Sequence, residues 1–202
     1  MEEHDPAHEK MEMLLRPERQ RLQDPEVILG AINVKPGMVI ADVGAGPGFL
    51  TIPAAQKLGP NGKVYAIDVE PSMLKEVARR AHELGLANIE TVLSAGEKLP
   101  LPDGIADAAL LANVLHEAKN PAQMLQEVAR VLKPGGSLVV IEWKKERQQM
   151  GPPVAERIAP EELERALLAS RYAGIEQFAV GPAHYGMRAR TSLADGSQPR
   201  LR

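Results

Sequence analysis

Apolar residues fall in short, β-branched or alanine-rich runs, at 38–43, 63–67, 89–93, 106–112 and 137–143. Such continuous runs, bounded by turn residues, predict strands buried on both faces of a parallel sheet. Between them the apolar period changes to that of a helix. Pro71 opens one helix with Leu74, Val77, Ala78, Ala81 and Leu84 at helical spacing, and Gly85 closes it. Asn120-Pro121 opens another carrying Leu125, Val128, Ala129 and Leu132, which Lys133-Pro134-Gly135-Gly136 stops. Helical patterns are also predicted over 49–57 and from Pro160 to about Tyr172. Asp24-Pro25-Glu26 reads as a capped helix start that turns Val27, Ile28, Ala31 and Ile32 toward a core. After the last helix the pattern changes. Residues 175–180 and 184–190 read as two strands joined by a tight turn at Gly181-Pro182, a C-terminal antiparallel hairpin. Strand and helix alternating five times imply right-handed crossovers, hence an α/β fold with a mostly parallel sheet and helices on both faces.

Composition narrows the partners. The chain has 202 residues, the size of one domain with trimmings. Domain organisation is expected as an N-terminal arm over 1–24, a domain over 25–190 and a disordered tail over 191–202. A net charge of −3 and only 3% aromatic residues argue against nucleic acid as a partner. The absence of cysteine excludes disulfides, cysteine-ligated metals and a thiolate nucleophile. The apolar runs are too short to span a bilayer and the polar, acidic N-terminus lacks a signal-peptide core, so the expected location is cytoplasmic. His4 and His8 have no third ligand near them in sequence, and no metal site is expected.

The chemistry concentrates at the first strand-to-helix turn, Asp42-Val43-Gly44-Ala45-Gly46-Pro47-Gly48. A glycine-rich turn there lets a ligand approach the backbone and presents N–H groups at a helix start. A dinucleotide fingerprint needs a third glycine where this chain has Phe49, and no Gly-Lys-Ser/Thr ends the loop as a P-loop requires. Asp68 ends the second strand, where a carboxylate can accept from both hydroxyls of a ribose.

The segments VIADVGAGPGFLT, VYAIDVEPSML, SAGEKLPLPDGIADAALLANVLHE and LKPGGSLVVIEWK, in that order, resemble the class I S-adenosylmethionine-dependent methyltransferases. The group they look most like is that of ubiquinone/menaquinone-biosynthesis methyltransferases. The resemblance covers about residues 25–190. It implies a Rossmann-like fold ending in an antiparallel hairpin. It implies S-adenosylmethionine as cofactor, S-adenosylhomocysteine as product, and a small-molecule methyl acceptor. It also implies that Gly44, Ala45, Gly46 and Gly48 hold the methionine half of the cofactor, with Asp42 ordering the loop and favouring the ammonium end. Asp68 would bind the ribose, Val69 and Met73 would flank the adenine, and the turn from Ser94 through Ala95, Gly96 and Glu97 would edge it. Many relatives carry an aspartate where Ala95 stands. Asn113, ending the fourth strand, would line the pocket near the sulfonium.

Around this site His116 is a candidate general base, and Glu117, Trp143, His184 and Tyr185 are candidates for an acceptor pocket. The arm, with Met11, Met13, Leu14 and Leu15 beside Arg16, Arg19 and Arg21, is a candidate lid. Rival readings are an RNA or protein methyltransferase, an NAD-dependent oxidoreductase, and a non-catalytic S-adenosylmethionine-binding protein. Neither the acceptor atom nor the oligomeric state is legible in the sequence.

Overall fold

The computed structural model describes residues 6–16, 19, 22–148 and 150–192; the expected tail lies almost wholly outside them. Two helices lead in, α1 (Pro6–Leu15) and α2 (Pro25–Ile32). The body then runs β1 (Val39–Val43), α3 (Thr51–Leu58), β2 (Lys63–Asp68), α4 (Pro71–Glu83), β3 (Ile89–Leu93) and β4 (Ala106–Ala112). It continues with α5 (Pro121–Val131), β5 (Leu132–Trp143), α6 (Pro160–Ala169), β6 (Tyr172–Ala179) and β7 (His184–Thr191). One seven-stranded sheet has the order β3-β2-β1-β4-β5-β7-β6, with β7 alone running opposite to the other six strands. The order reverses between β1 and β4. In open α/β sheets ligands bind at such a switch point, beyond the C-terminal strand ends, and the glycine loop after β1 lies there.

The expected helix starts form for the expected reasons. Asp24 Oδ1 accepts from Glu26 N at 2.9 Å, and Asn120 Oδ1 accepts from Gln123 N at 3.1 Å, each ahead of a proline that needs no partner for its own nitrogen. One face of the sheet, with Val43, Ile67, Leu111 and Val140, is sealed by Leu125 and Val128 of α5 and Leu163 and Leu167 of α6. The other, with Ile40, Val64, Leu110 and Ile141, is sealed by Ile28, Leu29 and Ile32 of α2 and Leu58 of α3. Full burial of each such side chain contributes about 1.5–3 kcal/mol.

Three expectations need correction. Helix α2 is rotated, so Leu29 is buried and Val27 is exposed. Residues 133–136 do not end a helix in a free turn. They lie within β5, where Leu132 pairs with Ala106 and the register then shifts, Gly135 taking φ 75°. Helix α6 stops at Ala169 because Arg171 turns left-handed (φ 66°), which sends Tyr172 into the core with its hydroxyl donating to Leu125 O at 3.0 Å. The final hairpin forms as expected at the sheet edge. β7 inserts beside β5 and leaves β6 outermost.

Candidate functional site

The loop after β1 is strapped to the end of β2. Gly44 N and Ala45 N both donate to Ile67 O, at 2.8 and 3.0 Å. Gly46 N donates to Asp68 Oδ2 at 2.8 Å, and Glu70 N to Asp68 Oδ1 at 2.9 Å. One carboxylate thus holds the turns that follow both β1 and β2, while each oxygen retains a lone pair for a further donor. The loop requires glycine. Gly44, Gly46 and Gly48 all have positive φ, and a Cβ on Gly44 would lie 2.2 Å from a Val114 methyl. From α4, Arg80 Nη1 donates to Pro47 O at 2.6 Å and fixes the loop from behind.

Asp42 is buried beneath the loop and accepts from Thr51 Oγ1 at 2.5 Å, which ties β1 to the start of α3. Burial pushes its pKa up to about 6, against the Thr51 hydrogen bond and the Arg19 charge, which pull the other way. Arg19 of the arm lies over the Phe49 ring at 4.3 Å and donates to Leu14 O at 3.1 Å. Burial takes its pKa down to about 10, the Asp42 charge opposing. Leu14 Cδ1 lies 3.7 Å from where a Cβ on Gly46 would stand. The described part of the arm therefore packs on the glycine loop; Arg21 and His4 lie outside the described residues.

The remaining cofactor candidates divide by burial. Val69 is exposed on the rim, whereas Met73 is buried beneath it and packs inward. Ala95 is exposed. Ser94 Oγ lies 2.8 and 3.1 Å from the carbonyls of Gly96 and Lys98, closing the turn in which Gly96 takes φ 119°. Glu97 accepts from Asn120 N at 3.1 Å, so its carboxylate is engaged with the start of α5, and backbone donors hold its pKa below the ordinary value. Asn113 takes φ 59° after β4 and donates its N–H to Ile141 O at 2.9 Å. Its side-chain Oδ1 is buried without a hydrogen-bond partner.

The acceptor-pocket candidates do not converge. Trp143 and His184 are cross-strand partners, their rings 4.0 Å apart, and His184 is buried on the α2 side. Neither ring nitrogen of His184 meets a partner at hydrogen-bonding geometry. Tyr185 points through the opposite face, buried, its hydroxyl donating to Ile158 O at 2.9 Å. It is a core residue that holds the segment before α6. Glu117 is exposed, one residue past His116 on a short 3₁₀ turn (Leu115–Glu117).

Two functional candidates escaped the sequence reading. Glu142 is fully buried in β5 and meets the His116 ring nitrogen Nδ1 at 2.8 Å. A lone acid inside the apolar run VVIEW was the available signal, because a buried carboxylate needs a partner. Arg157 is also buried. It donates to the carbonyls of Lys144, Glu146, Met150 and Pro152 at 2.8–3.0 Å and lies 5.3 Å from the Trp143 ring. It knots the loop after β5, and no pattern in that loop marks it.

Two shallow depressions of about 300 Å³ lie along β6, one toward α2 and one toward His184, away from the glycine loop. No described helix is long and apolar enough to cross a membrane.

A family model described as "Methyltransferase domain" matches residues 34–173. The chain is 37% identical over 124 residues to a ubiquinone/menaquinone biosynthesis C-methyltransferase from Bordetella avium, covering 61% of this chain and 48% of that one. It thus spans about half the length of that curated relative. A solved S-adenosylmethionine-dependent methyltransferase from Aquifex aeolicus superposes with a TM-score of 0.82 at 37% identity, covering 93% of this chain and 99% of the other. The fold, at 15% identity and a TM-score of 0.70, is also that of a Haemonchus contortus phosphoethanolamine N-methyltransferase solved with S-adenosylmethionine, covering 83% of this chain and 52% of that one.

Proposed function

The chain belongs to the class I, S-adenosylmethionine-dependent methyltransferase family, and we propose that it transfers the cofactor's methyl group to a small-molecule acceptor. The observation that carries the reading is the glycine loop closed onto Asp68. Three glycines with left-handed backbones shape a tight loop, and a carboxylate with lone pairs to spare holds that loop through Gly46 N. The chemistry of the donor set fits the cofactor. Asp68 would take the ribose hydroxyls, the loop from Gly44 to Gly48 the methionine portion, and Val69 one side of the adenine. The orphaned Asn113 Oδ1 offers an acceptor next to the loop, as a cationic sulfonium and ammonium would require. The place of Ala95 gives no acid for the adenine amino group, so that contact falls to backbone or water.

Bound S-adenosylmethionine supplies an electrophilic methyl group. What the protein adds is alignment and the exclusion of water. Contacts of the arm residues Leu14 and Arg19 with Gly46 and Phe49 support a covering role for the arm. The acceptor class best supported is a small ring of the kind the curated relative's name implies, methylated at carbon. A net charge of −3 disfavours an RNA acceptor. Incubation of the protein with S-adenosylmethionine and separate panels of hydroquinones, other small nucleophiles, RNA and peptides, read by mass shift, tests this. Methylation confined to a small-molecule panel is expected. Methylation of RNA or peptide alone overturns it.

A further inference from the structure

The proposed transfer leaves one buried, precisely oriented ion-pair candidate without a role. His116 Nδ1 lies 2.8 Å from Glu142 Oε2, and the His116 backbone N–H donates to Oε1 of the same carboxylate at 3.2 Å. Both side chains are hidden, at 6% and 0% exposure. The 3₁₀ turn that carries His116 begins two residues after Asn113, so the imidazole stands at the same strand end as the orphaned Asn113 oxygen. Glu142 comes from the end of the adjacent strand, β4 and β5 pairing as far as Ala112 and Ile141. Ring and main chain of one residue are therefore gripped by the two oxygens of one acid. A carboxylate that accepts the Nδ1 proton leaves the lone pair on Nε2. Among the described residues Nε2 makes no hydrogen bond, and it is not among the buried unpartnered atoms.

We infer that Glu142 is a positioning residue that fixes His116 as the Nδ1–H tautomer, with Nε2 the base that removes a proton from the acceptor. The inference rests on the methyltransferase reading. In the step, the acceptor's O–H or N–H bond breaks, its electron pair stays on the acceptor heteroatom, and the proton passes to Nε2. The imidazolium so formed lies against the Glu142 carboxylate, which keeps its charge. This suits a weakly acidic hydroxyl such as that of a phenol or hydroquinone, which must gain electron density before its ring or oxygen attacks a methyl group. The charged neighbours favour the same arrangement. Burial lowers the His116 pKa, but Glu142, Glu117 and Glu156 together raise it above its ordinary value.

The test uses E142Q and H116Q with three readouts. By nitrogen-edited NMR of the whole protein, wild-type His116 is expected to be the Nδ1–H tautomer with a pKa above 6.5. In E142Q the pKa falls and the tautomer preference is lost. S-adenosylhomocysteine binding should remain within about twofold in both variants. With a phenolic acceptor from the panel, H116Q should lower turnover by about 10²-fold or more, and E142Q should move the acidic limb of the pH–rate profile downward. If E142Q folds poorly, E142D, which keeps the charge but withdraws it by one methylene, carries the same NMR prediction. An unchanged His116 titration in a folded Glu142 variant overturns the positioning role. Undiminished turnover in H116Q overturns the base. A wild-type protein that methylates no small molecule instead defeats the methyltransferase proposal, while the titration still decides the pair.

Discussion

Replacement of His184 by phenylalanine should remove most of one pH dependence and leave its opposite exposed. His184 is 1% exposed, stacked on Trp143, with both ring nitrogens unpartnered. Burial first, then the charges of Arg19, Arg157 and Lys144, take its pKa down from 6.5 to about 4, the Leu22 backbone opposing. A folded-state pKa below the unfolded one means stability that is complete above pH 6.5 and lost as pH falls through about 4. Integrated between those values, the histidine withdraws about 2 kcal/mol by pH 5. Asp42 acts with the other sign. Its pKa rises from 3.8 to about 6, so its contribution is complete below 3.8 and lost as pH rises through about 6. The two groups offset each other across the same window in the native protein. In H184F only Asp42 remains of the pair. At pH 7.5 the variant should equal or exceed the wild type, since a desolvated, unpaired nitrogen pair is gone and a ring of similar size still meets Trp143. At pH 5 it should lead by about a further 2 kcal/mol, roughly 4–8 °C in Tm at this chain length. Urea unfolding at both values measures the difference. A stability gap between variant and wild type that stays constant from pH 7.5 to 5 would refute the reasoning.

Asp68→Ala should weaken S-adenosylhomocysteine binding by about 1–3 kcal/mol. It should also lower stability, because the backbone donors of Gly46 and Glu70 lose their acceptor; calorimetry that finds full affinity in the folded variant assigns Asp68 to bracing alone. Gly44→Ala combines a left-handed backbone with a methyl driven into Val114, so destabilisation of at least 1–2 kcal/mol with loss of cofactor binding is expected in thermal melts. Deletion of residues 2–20 removes Leu14 from Gly46 and Arg19 from Phe49; turnover should fall more than stability, and arm hydrogen exchange in the intact protein should slow with cofactor. Equal exchange with and without cofactor, and untouched affinity after deletion, would reject the lid.

Much of the fold was legible because buried parallel strands announce themselves. The runs ending at Val43, Ile67 and Ala112 are strands for the reason expected, and Asp24, Asn120 and Gly85 punctuate helices as their chemistry dictates. Periodicity does not say which way a helix is turned once tertiary contacts compete, hence the exchange of Val27 for Leu29. It does not place a bulge either, so residues 133–136 read as a plain turn. The loop and Asp68 were legible since glycine and a terminal acid are needed together at one strand end. The acceptor side was not. His184 and Tyr185 are neighbours in sequence, but adjacent strand residues face opposite ways, and only strand order shows that Trp143 meets the first while Glu142 lies across from the second. Arg157 acts through carbonyls alone, a role that any loop arginine can fill and no spacing reveals.

The most direct test of the central claim is ligand-induced stabilisation of the full chain by S-adenosylhomocysteine and, separately, by NAD. The glycine loop closed on Asp68, with Phe49 under Arg19 where a dinucleotide site needs a third glycine, predicts stabilisation by the first alone. At a hundredfold excess over Kd that stabilisation is about 2.7 kcal/mol, a rise of several degrees in Tm. A clear rise with NAD, and none with S-adenosylhomocysteine or S-adenosylmethionine, would contradict the account.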